Sequence, residues 1–303
     1  PTDEVLVAST GVIGMQLPID RICAGVETMV PQLNGDIESG HNAALAIMTT
    51  DTHEKEVAVE IELSGKTVTI GGMCKGSGMI HPNMCTMLSF VTTDAAISQE
   101  LLLEALKADV EDTYNMISVD GDTSTNDMVA ILASGLAGNP RIQGEGPALE
   151  KFIAALKQVC VTIAKLLAGD GEGATRLLEC LVTGAPDAAC AKTVAKSVIC
   201  SSLFKTAMFA SDANWGRILC AIGYADAQFS VSTIDVTLSS VKGSVQVCKD
   251  GFGVEFSEEK AKEVLLEKEI QIRIDMKQGD GKATAWGCDL TYDYVRINGD
   301  YRT

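Results

Sequence analysis

Histidine is scarce in this chain, with three residues among 303, at positions 41, 53 and 81. They are scattered without metal-ligand spacing, so no metal is assigned. The ten cysteines (23, 74, 85, 160, 180, 190, 200, 220, 248 and 288) include no C-x-x-C pair. Several fall on apolar helical faces, where cysteine acts as a small hydrophobe, and reduced, buried thiols of a cytoplasmic protein are expected. Positive charge is also short: 24 Lys and Arg face 41 Asp and Glu, for a net charge of -17. Such a chain repels phosphate backbones, which excludes nucleic acid as a partner. It has no basic amphipathic stretch for an anionic membrane. No apolar run reaches spanning length, because Lys151, Lys157 and Lys165 interrupt the long helix expected from Pro147. No signal peptide is visible. The chain opens on Pro1-Thr2-Asp3-Glu4 without a methionine, which leads us to expect further sequence upstream.

What is present is apolar residue in quantity, 46% of the chain, enough for one large core or two ordinary ones. Val5 to Ala8 reads as a buried strand ending at Ser9-Thr10-Gly11. Helical stretches follow around Ile19 to Val30 and His41 to Met48. Val57, Val59, Ile61 and Leu63 alternate with polar or small residues, Ser64-Gly65 turns the chain, and Val68 and Ile70 resume the alternation, which predicts a hairpin. A strand is expected from Thr86 to Thr93, and Ser98 caps a helix running to about Met116. The polar loop Asp120 to Asp127 (DGDTSTND) is expected to end at a helix start. Pro147 opens a helix with Leu149, Phe152, Ile153, Leu156, Val159, Ile163 and Leu167 on one face, closed by Gly169. A strand from Arg176 to Val182 follows. Gly184-Ala185-Pro186 is the candidate boundary between parts 1–183 and 184–303. Beyond it come helices at Asp187 to Cys200 and near Trp215, a strand at Val231 to Leu238, a helix from Ser257, and a half-buried strand at Glu269 to Asp275. Helices and strands are mixed without a strict β-α-β rhythm, so the fold class is α+β in two packed domains.

Chemistry concentrates in Lys75 to Asp94, KGSGMIHPNMCTMLSFVTTD. Thr86 stands at the head of a strand just after a Gly- and Pro-containing loop. If the bond before it were cut, the new α-amine would lie beside the threonine hydroxyl and activate it. Other polar clusters sit at element ends: STG, MTTDT, GDGEGAT, DANWGR and NGDYRT. Singly, each has an ordinary structural reading. MTTDT caps a helix end, GDGEGAT is a helix C-cap and turn rather than a dinucleotide fingerprint, and KGSGM lacks the spacing of a Walker loop. Jointly, they describe a small polar site for a short charged substrate, with no His-Asp-Ser set.

The motifs STGVIG, MTTDT, GGMCKGSGMIHPNMCTML, DGDTSTND, GDGEGAT, DANWGRI, AWGCDLTYDYV and INGDYRT span residues 5 to 303. By these the chain resembles the ornithine acetyltransferase family, also called glutamate N-acetyltransferases. The resemblance implies an α/β sandwich of the self-processing type. It implies cleavage between Cys85 and Thr86 into Pro1–Cys85 and Thr86–Thr303, which stay together as a heterotetramer with two copies of each piece. Thr86 would be the nucleophile that carries the acetyl group. Thr10 and Gly11 would form the oxyanion hole. Thr49, Lys75, Thr86, Glu172, Asn298 and Thr303 match the substrate-binding positions. The substrates implied are N2-acetylornithine as donor and glutamate as acceptor. No cofactor is implied, and acetyl-CoA as a second donor is left open. Two departures stand out: Cys85 replaces the usual alanine before the nucleophile, and His53-Glu54-Lys55 follows TTDT where proline is common. The alternatives are a self-processed amidase or aminopeptidase that uses water as acceptor, and a catalytically silent binding or assembly protein.

Overall fold

The computed structural model describes residues 2, 5–84 and 86–300. The chain runs α1 (Ile19–Met29), α2 (Ile37–Ala46), β1 (Lys55–Leu63), β2 (Lys66–Lys75), β3 (Leu88–Thr93), α3 (Gln99–Asp112), β4 (Ile117–Ser118), β5 (Met128–Ala133) and α4 (Pro147–Gly169). It continues through β6 (Leu177–Ala185), α5 (Ala188–Cys200), α6 (Ser202–Phe209), α7 (Trp215–Gly223), β7 (Asp235–Ser240), β8 (Gly243–Lys249), β9 (Phe252–Gly253), α8 (Glu258–Leu265), β10 (Glu269–Asp275), β11 (Gly281–Cys288) and α9 (Tyr292–Asp300). The fold is α+β, with two sheets and helices packed between and around them.

The four-stranded sheet has the order β1-β2-β3-β5 and the seven-stranded sheet the order β4-β11-β6-β10-β7-β8-β9. The hairpin β1–β2 forms where the alternation predicts it. Ser64 and Gly65 take φ of 52° and 77°, the pair of left-handed residues that matches a two-residue turn to the strand twist. β2 pairs antiparallel with β3, from Lys75 opposite Leu88 to Ile70 opposite Thr93. β5 then adds parallel to β3.

The helix α4 joins the two sheets, lying against β1 and β2 on one side and β11 and β6 on the other. Proline at its first turn and apolar residues every three or four positions explain its start and its buried face. Phe152, Leu156, Val159, Ile163 and Leu167 are fully buried, each contributing roughly 1.5–3 kcal/mol. Gly72 on β2 permits the close approach, since a Cβ there would lie 2.7 Å from Ile163 Cδ1. By length and composition α4 could cross a bilayer, which the lysine interruptions argue against; its place between the sheets is that of a core helix. On the seven-stranded sheet, Ile270, Ile272 and Ile274 of β10 point into the core beside Leu178, Cys180 and Val182 of β6. The segment Gly184-Ala185-Pro186 is the end of β6 and the turn into α5, and β6 pairs with β10 and β11.

Two expectations are overturned. Val5 to Ala8 is not a buried strand: it has no regular structure, and Val5 and Val7 are 67% and 81% exposed. A strand needs a neighbour for its backbone groups, and no described strand pairs with this segment. The loop Asp120 to Asp127 leads into strand β5, not a helix. The run Met128-Val-Ala-Ile-Leu-Ala suits a strand beside β3, and the side chain of Asp127 is taken up by backbone amides of the neighbouring loop instead of a helix cap.

Candidate active site

Residues 76–87 connect the paired ends of β2 and β3, so Lys75 and Thr86 face each other across the loop they bound. Lys75 Nζ donates to the Thr86 carbonyl at 3.0 Å and to the Gly76 carbonyl at 2.9 Å. The Thr86 hydroxyl donates to the Gly78 carbonyl at 3.1 Å. The amides of Thr86 and Met87 both donate to Asp127 Oδ1, each at 3.0 Å.

Segment 115–127 holds the loop from outside. Asp120 accepts from the amides of Met79 and Ile80 at 2.7 and 3.0 Å. The Asn115 side chain bonds both the amide and the carbonyl of Met84, and Thr123 Oγ1 donates to the His81 carbonyl. Ser77 and Met79 have φ of 97° and 56°. Such left-handed non-glycine backbone persists only where its surroundings over-determine it.

A buried ion cluster supports the loop from the other side. Lys55, fully enclosed, donates to Asp51 Oδ1 at 2.7 Å and to Asp170 Oδ2 at 2.5 Å. Asp51 also accepts from the Gly76 amide at 2.7 Å and the Thr49 amide at 3.2 Å. Asp170, just past α4, accepts from the amide and hydroxyl of Thr52. Two residues on, the Glu172 amide donates to the Ser77 carbonyl at 3.2 Å, and a Cβ on Gly78 would lie 2.5 Å from the Glu172 carboxyl carbon. Asn298 Nδ2 donates to Glu172 Oε2 at 2.8 Å. α9 is anchored there by the Thr291 hydroxyl on the Gly173 carbonyl at 2.7 Å and by Tyr292 packed edge-on to Phe209.

Burial lowers the affinity of Lys75 for its proton, and Lys55 lowers it further against the opposing pull of Asp51 and Asp127. Burial alone would raise the Asp51 carboxyl, but the Lys55 and Gly76 hydrogen bonds outweigh it and hold it below the usual range. Burial raises the Asp127 carboxyl despite the backbone of Met87, Thr86 and Ser124 and the charge of Lys75, which oppose the rise. The His81 imidazole is pushed down to about 4, first by burial and then by Lys196, so it is neutral at physiological pH.

The ArgJ family model matches residues 1–303. A protein from Caldanaerobacter subterraneus subsp. tengcongensis named arginine biosynthesis bifunctional protein ArgJ is 53% identical over 301 residues, 99% of this chain and 74% of its own. One of the same name from Thermotoga neapolitana is 50% identical over 303 residues, 100% of this chain and 76% of its own. The crystal structure of arginine biosynthesis bifunctional protein ArgJ from Bacillus halodurans superposes with a TM-score of 0.67 at 48% identity, covering 70% of this chain and 98% of that one. The chain belongs to the ArgJ family.

In this ArgJ-family chain, five residues singled out by the resemblance are linked around loop 76–78: Thr49, Lys75, Thr86, Glu172 and Asn298. Thr10 and Gly11 are not tied into that network. The Thr10 hydroxyl is enclosed without a hydrogen-bond partner among the described residues, and Gly11 is exposed in an irregular segment. Cys85 and Thr303 lie outside the described residues. Sequence reasoning missed Lys55, Asp120, Asp127 and Asp170 as parts of the site. Their signal was the density of aspartate in MTTDT, DGDTSTND and GDGEGAT, read singly as caps and turns. One group suited to a cation among the described residues lies apart from this network: His41, Glu54 and Glu56, with His41 Nδ1 2.7 Å from Glu56 Oε1, in a partly exposed position.

Proposed function

We propose that the chain moves an acetyl group from N2-acetylornithine to glutamate through an acetyl ester on Thr86, after cleavage between residues 85 and 86. It is an acetyltransferase of arginine biosynthesis. The observation that carries the residue-level reading is the setting of Thr86. All its polar groups, the hydroxyl, amide and carbonyl, are engaged at the head of β3 by Gly78, Asp127 and Lys75.

A threonine hydroxyl is a weak nucleophile, and an α-amine on the same residue, titrating near pH ~8, is a base of suitable strength. Cleavage creates that amine in place. It takes the hydroxyl proton as Thr86 attacks the acetyl carbonyl and returns it to the departing ornithine amine. Glutamate's amine then attacks the ester, so the kinetics are ping-pong. The Thr10 hydroxyl, without an acceptor in the resting protein, and the Gly11 amide supply the oxyanion donors. The Lys75 ammonium has three protons and two carbonyl acceptors, which leaves one for a substrate α-carboxylate. Glu172, oriented by Asn298, meets the ornithine ammonium. Thr49 and Thr303 complete the binding positions.

Cleavage would leave β1 and β2 on one piece and β3, β5 and α4 on the other. The β2–β3 ladder and the seat of α4 on β1 and β2 would keep them together. The Bacillus halodurans chain is matched almost in full by 70% of this one, about the share that a piece beginning at Thr86 makes up. A cytoplasmic heterotetramer that needs no metal or cofactor completes the reading.

Intact-mass measurement of the purified protein tests it, with two pieces expected that meet at Cys85/Thr86. Incubation with N2-acetylornithine alone adds one acetyl group to the Thr86 piece, and glutamate removes it as N-acetylglutamate. Thr86→Ala is expected to stay uncut and to lose at least ~10⁴-fold in transfer rate. Transfer at the wild-type rate in that variant would overturn the nucleophile assignment, and free acetate as the main product would make the protein a hydrolase. Replacing N2-acetylornithine by acetyl-CoA shows whether the thioester is also a donor.

A further inference from the structure

We propose that Asp127 is the acid that protonates the Thr86 nitrogen as the bond before it breaks, a catalytic role in self-cleavage distinct from acetyl transfer. The inference rests on the cleavage reading above.

Breaking a peptide bond by its own hydroxyl has two demands. The oxygen must reach the carbonyl carbon, and the nitrogen must gain a proton, because an amide anion is too poor a leaving group to depart unaided. The structure places one ionisable group on that nitrogen. Asp127 Oδ1 is 3.0 Å from it and 3.0 Å from the next amide, which fixes the carboxyl group in position. The other oxygen, Oδ2, is enclosed and has no hydrogen-bond partner among the described residues. An ionised carboxylate would leave that buried oxygen charged and unsatisfied, a costly arrangement, whereas a carboxylic acid carries its proton there. Burial also raises the affinity of this carboxyl for its proton. A helix cap, the role its loop position predicts, needs no such proton, and no helix follows it.

The step balances as follows. The Thr86 oxygen forms a bond to the carbonyl carbon of residue 85, and the hydroxyl proton passes to solvent water, which reaches this half-buried side chain. The nitrogen gains a lone pair as it becomes tetrahedral, within reach of the carboxyl group. The Asp127 carboxyl group turns about its Cβ–Cγ bond to present the Oδ2 proton to it, the carbon–nitrogen bond breaks with its electron pair on nitrogen, and an ester and a free amine result. Water then attacks the ester. The residue 85 carboxyl departs and loses its proton to solvent, and the Thr86 hydroxyl is restored. The Thr86 amine is left free to act as a base, and Asp127 regains its proton from solvent.

Asp127→Asn tests this, because the amide oxygen can still accept from both backbone N–H groups while the acid proton is gone. Cleavage of the full chain, followed by intact mass, should slow by about 10²–10⁴-fold, the usual worth of a general acid. The variant should unfold at the parent's midpoint. Asp127→Glu, which keeps a carboxylic acid, should cleave at least tenfold faster than Asp127→Asn, and it carries the test should the asparagine variant not fold. Asp122→Asn, a change at an exposed neighbour, should cleave at the parent's rate. Hydroxylamine, which attacks esters, should not speed Asp127→Asn, because the ester itself is not being formed. Asp127→Asn cleaving as fast as the parent, hydroxylamine restoring it to that rate, or a folded Asp127→Glu no faster than Asp127→Asn would each overturn the assignment. A parent that is never cut would bring down the cleavage reading as well, whereas a parent cut normally beside a fast Asp127→Asn removes this inference alone.

Discussion

Loop 76–87 is held by side chains from positions as distant in sequence as Asp51, Asn115, Asp120 and Asp127. Residues 5–36, which also carry a site motif, make their hydrogen bonds only to residues a few positions away, among those described. Both stretches carry apolar residues. In the loop region Ile80 and Met87 are buried in the core. On α1, Ile19, Ile22, Val26 and Met29 recur at helical spacing and are all exposed. Periodicity in a sequence states which face of an element is apolar. Whether that face becomes core depends on a partner surface that the element itself does not encode. The loop therefore has its geometry imposed by neighbours, and the arm has only the stability of its own turns.

The contrast is tested most strongly on the loop's ionic support. Lys55→Met leaves Asp51 and Asp170 enclosed without their cation, and should cost about 3–5 kcal/mol in urea unfolding. The same cluster predicts an acid limit. The Asp51 carboxyl is held below its unfolded value of 3.8 by Lys55 and Gly76. The stability it contributes is therefore present above that pH and is lost as pH falls through the lower folded value. Lys55→Met should flatten the stability profile in that window. A variant that unfolds at the parent's urea midpoint would show that the loop is not anchored through this cluster.

The elements legible in the sequence are those whose signal is local. The hairpin shows in the alternation from Val57 to Ile70 and its Ser64-Gly65 turn, α4 in its apolar stripe and its terminal Pro147 and Gly169, and β10 in Ile270, Ile272 and Ile274. β11 was missed because Gly281–Cys288 mixes small and polar residues, and its strand state comes from pairing with β6 and β4. α9 was missed because it holds poor helix formers, Asn298 and Gly299, and is fixed by Gly173 and Phe209 from far away. The candidate site divides in the same way. Thr86 was visible as a hydroxyl at a strand head, and the other named positions came through family motifs. The cluster that joins them was not visible, because Thr52 and Asp170 are 118 positions apart in sequence. A short-range reading naturally assigns such aspartates to caps.

The arm supplies the next test. The Thr10 hydroxyl has no hydrogen-bond partner among the described residues, which suits the oxyanion role proposed for it and leaves it little part in stability. Thr10→Val should lower the acetyl-transfer rate by about 10²–10³-fold and leave the urea midpoint unchanged or slightly higher, since an unpaired buried hydroxyl is removed. This is the reverse of Lys55→Met, which acts on stability first. A loss of stability that matches the loss of rate would mean that Thr10 is a structural residue, and the division of labour between arm and loop would fail.

The smallest effect is expected on the exposed face of α1. Ile22→Asn replaces an exposed apolar side chain on a helix that has no buried residue, and exposed changes of this kind usually stay within about 0.5 kcal/mol. The local cost is only the lower helix preference of asparagine, a few tenths of a kcal/mol. Urea unfolding of the purified variant measures it directly. A loss of about 2 kcal/mol or more would show that the stripe of Ile19, Ile22, Val26 and Met29 is covered in solution. The arm would then be a packed element like the loop, and the contrast between the two would reduce to a difference in which surface each one meets.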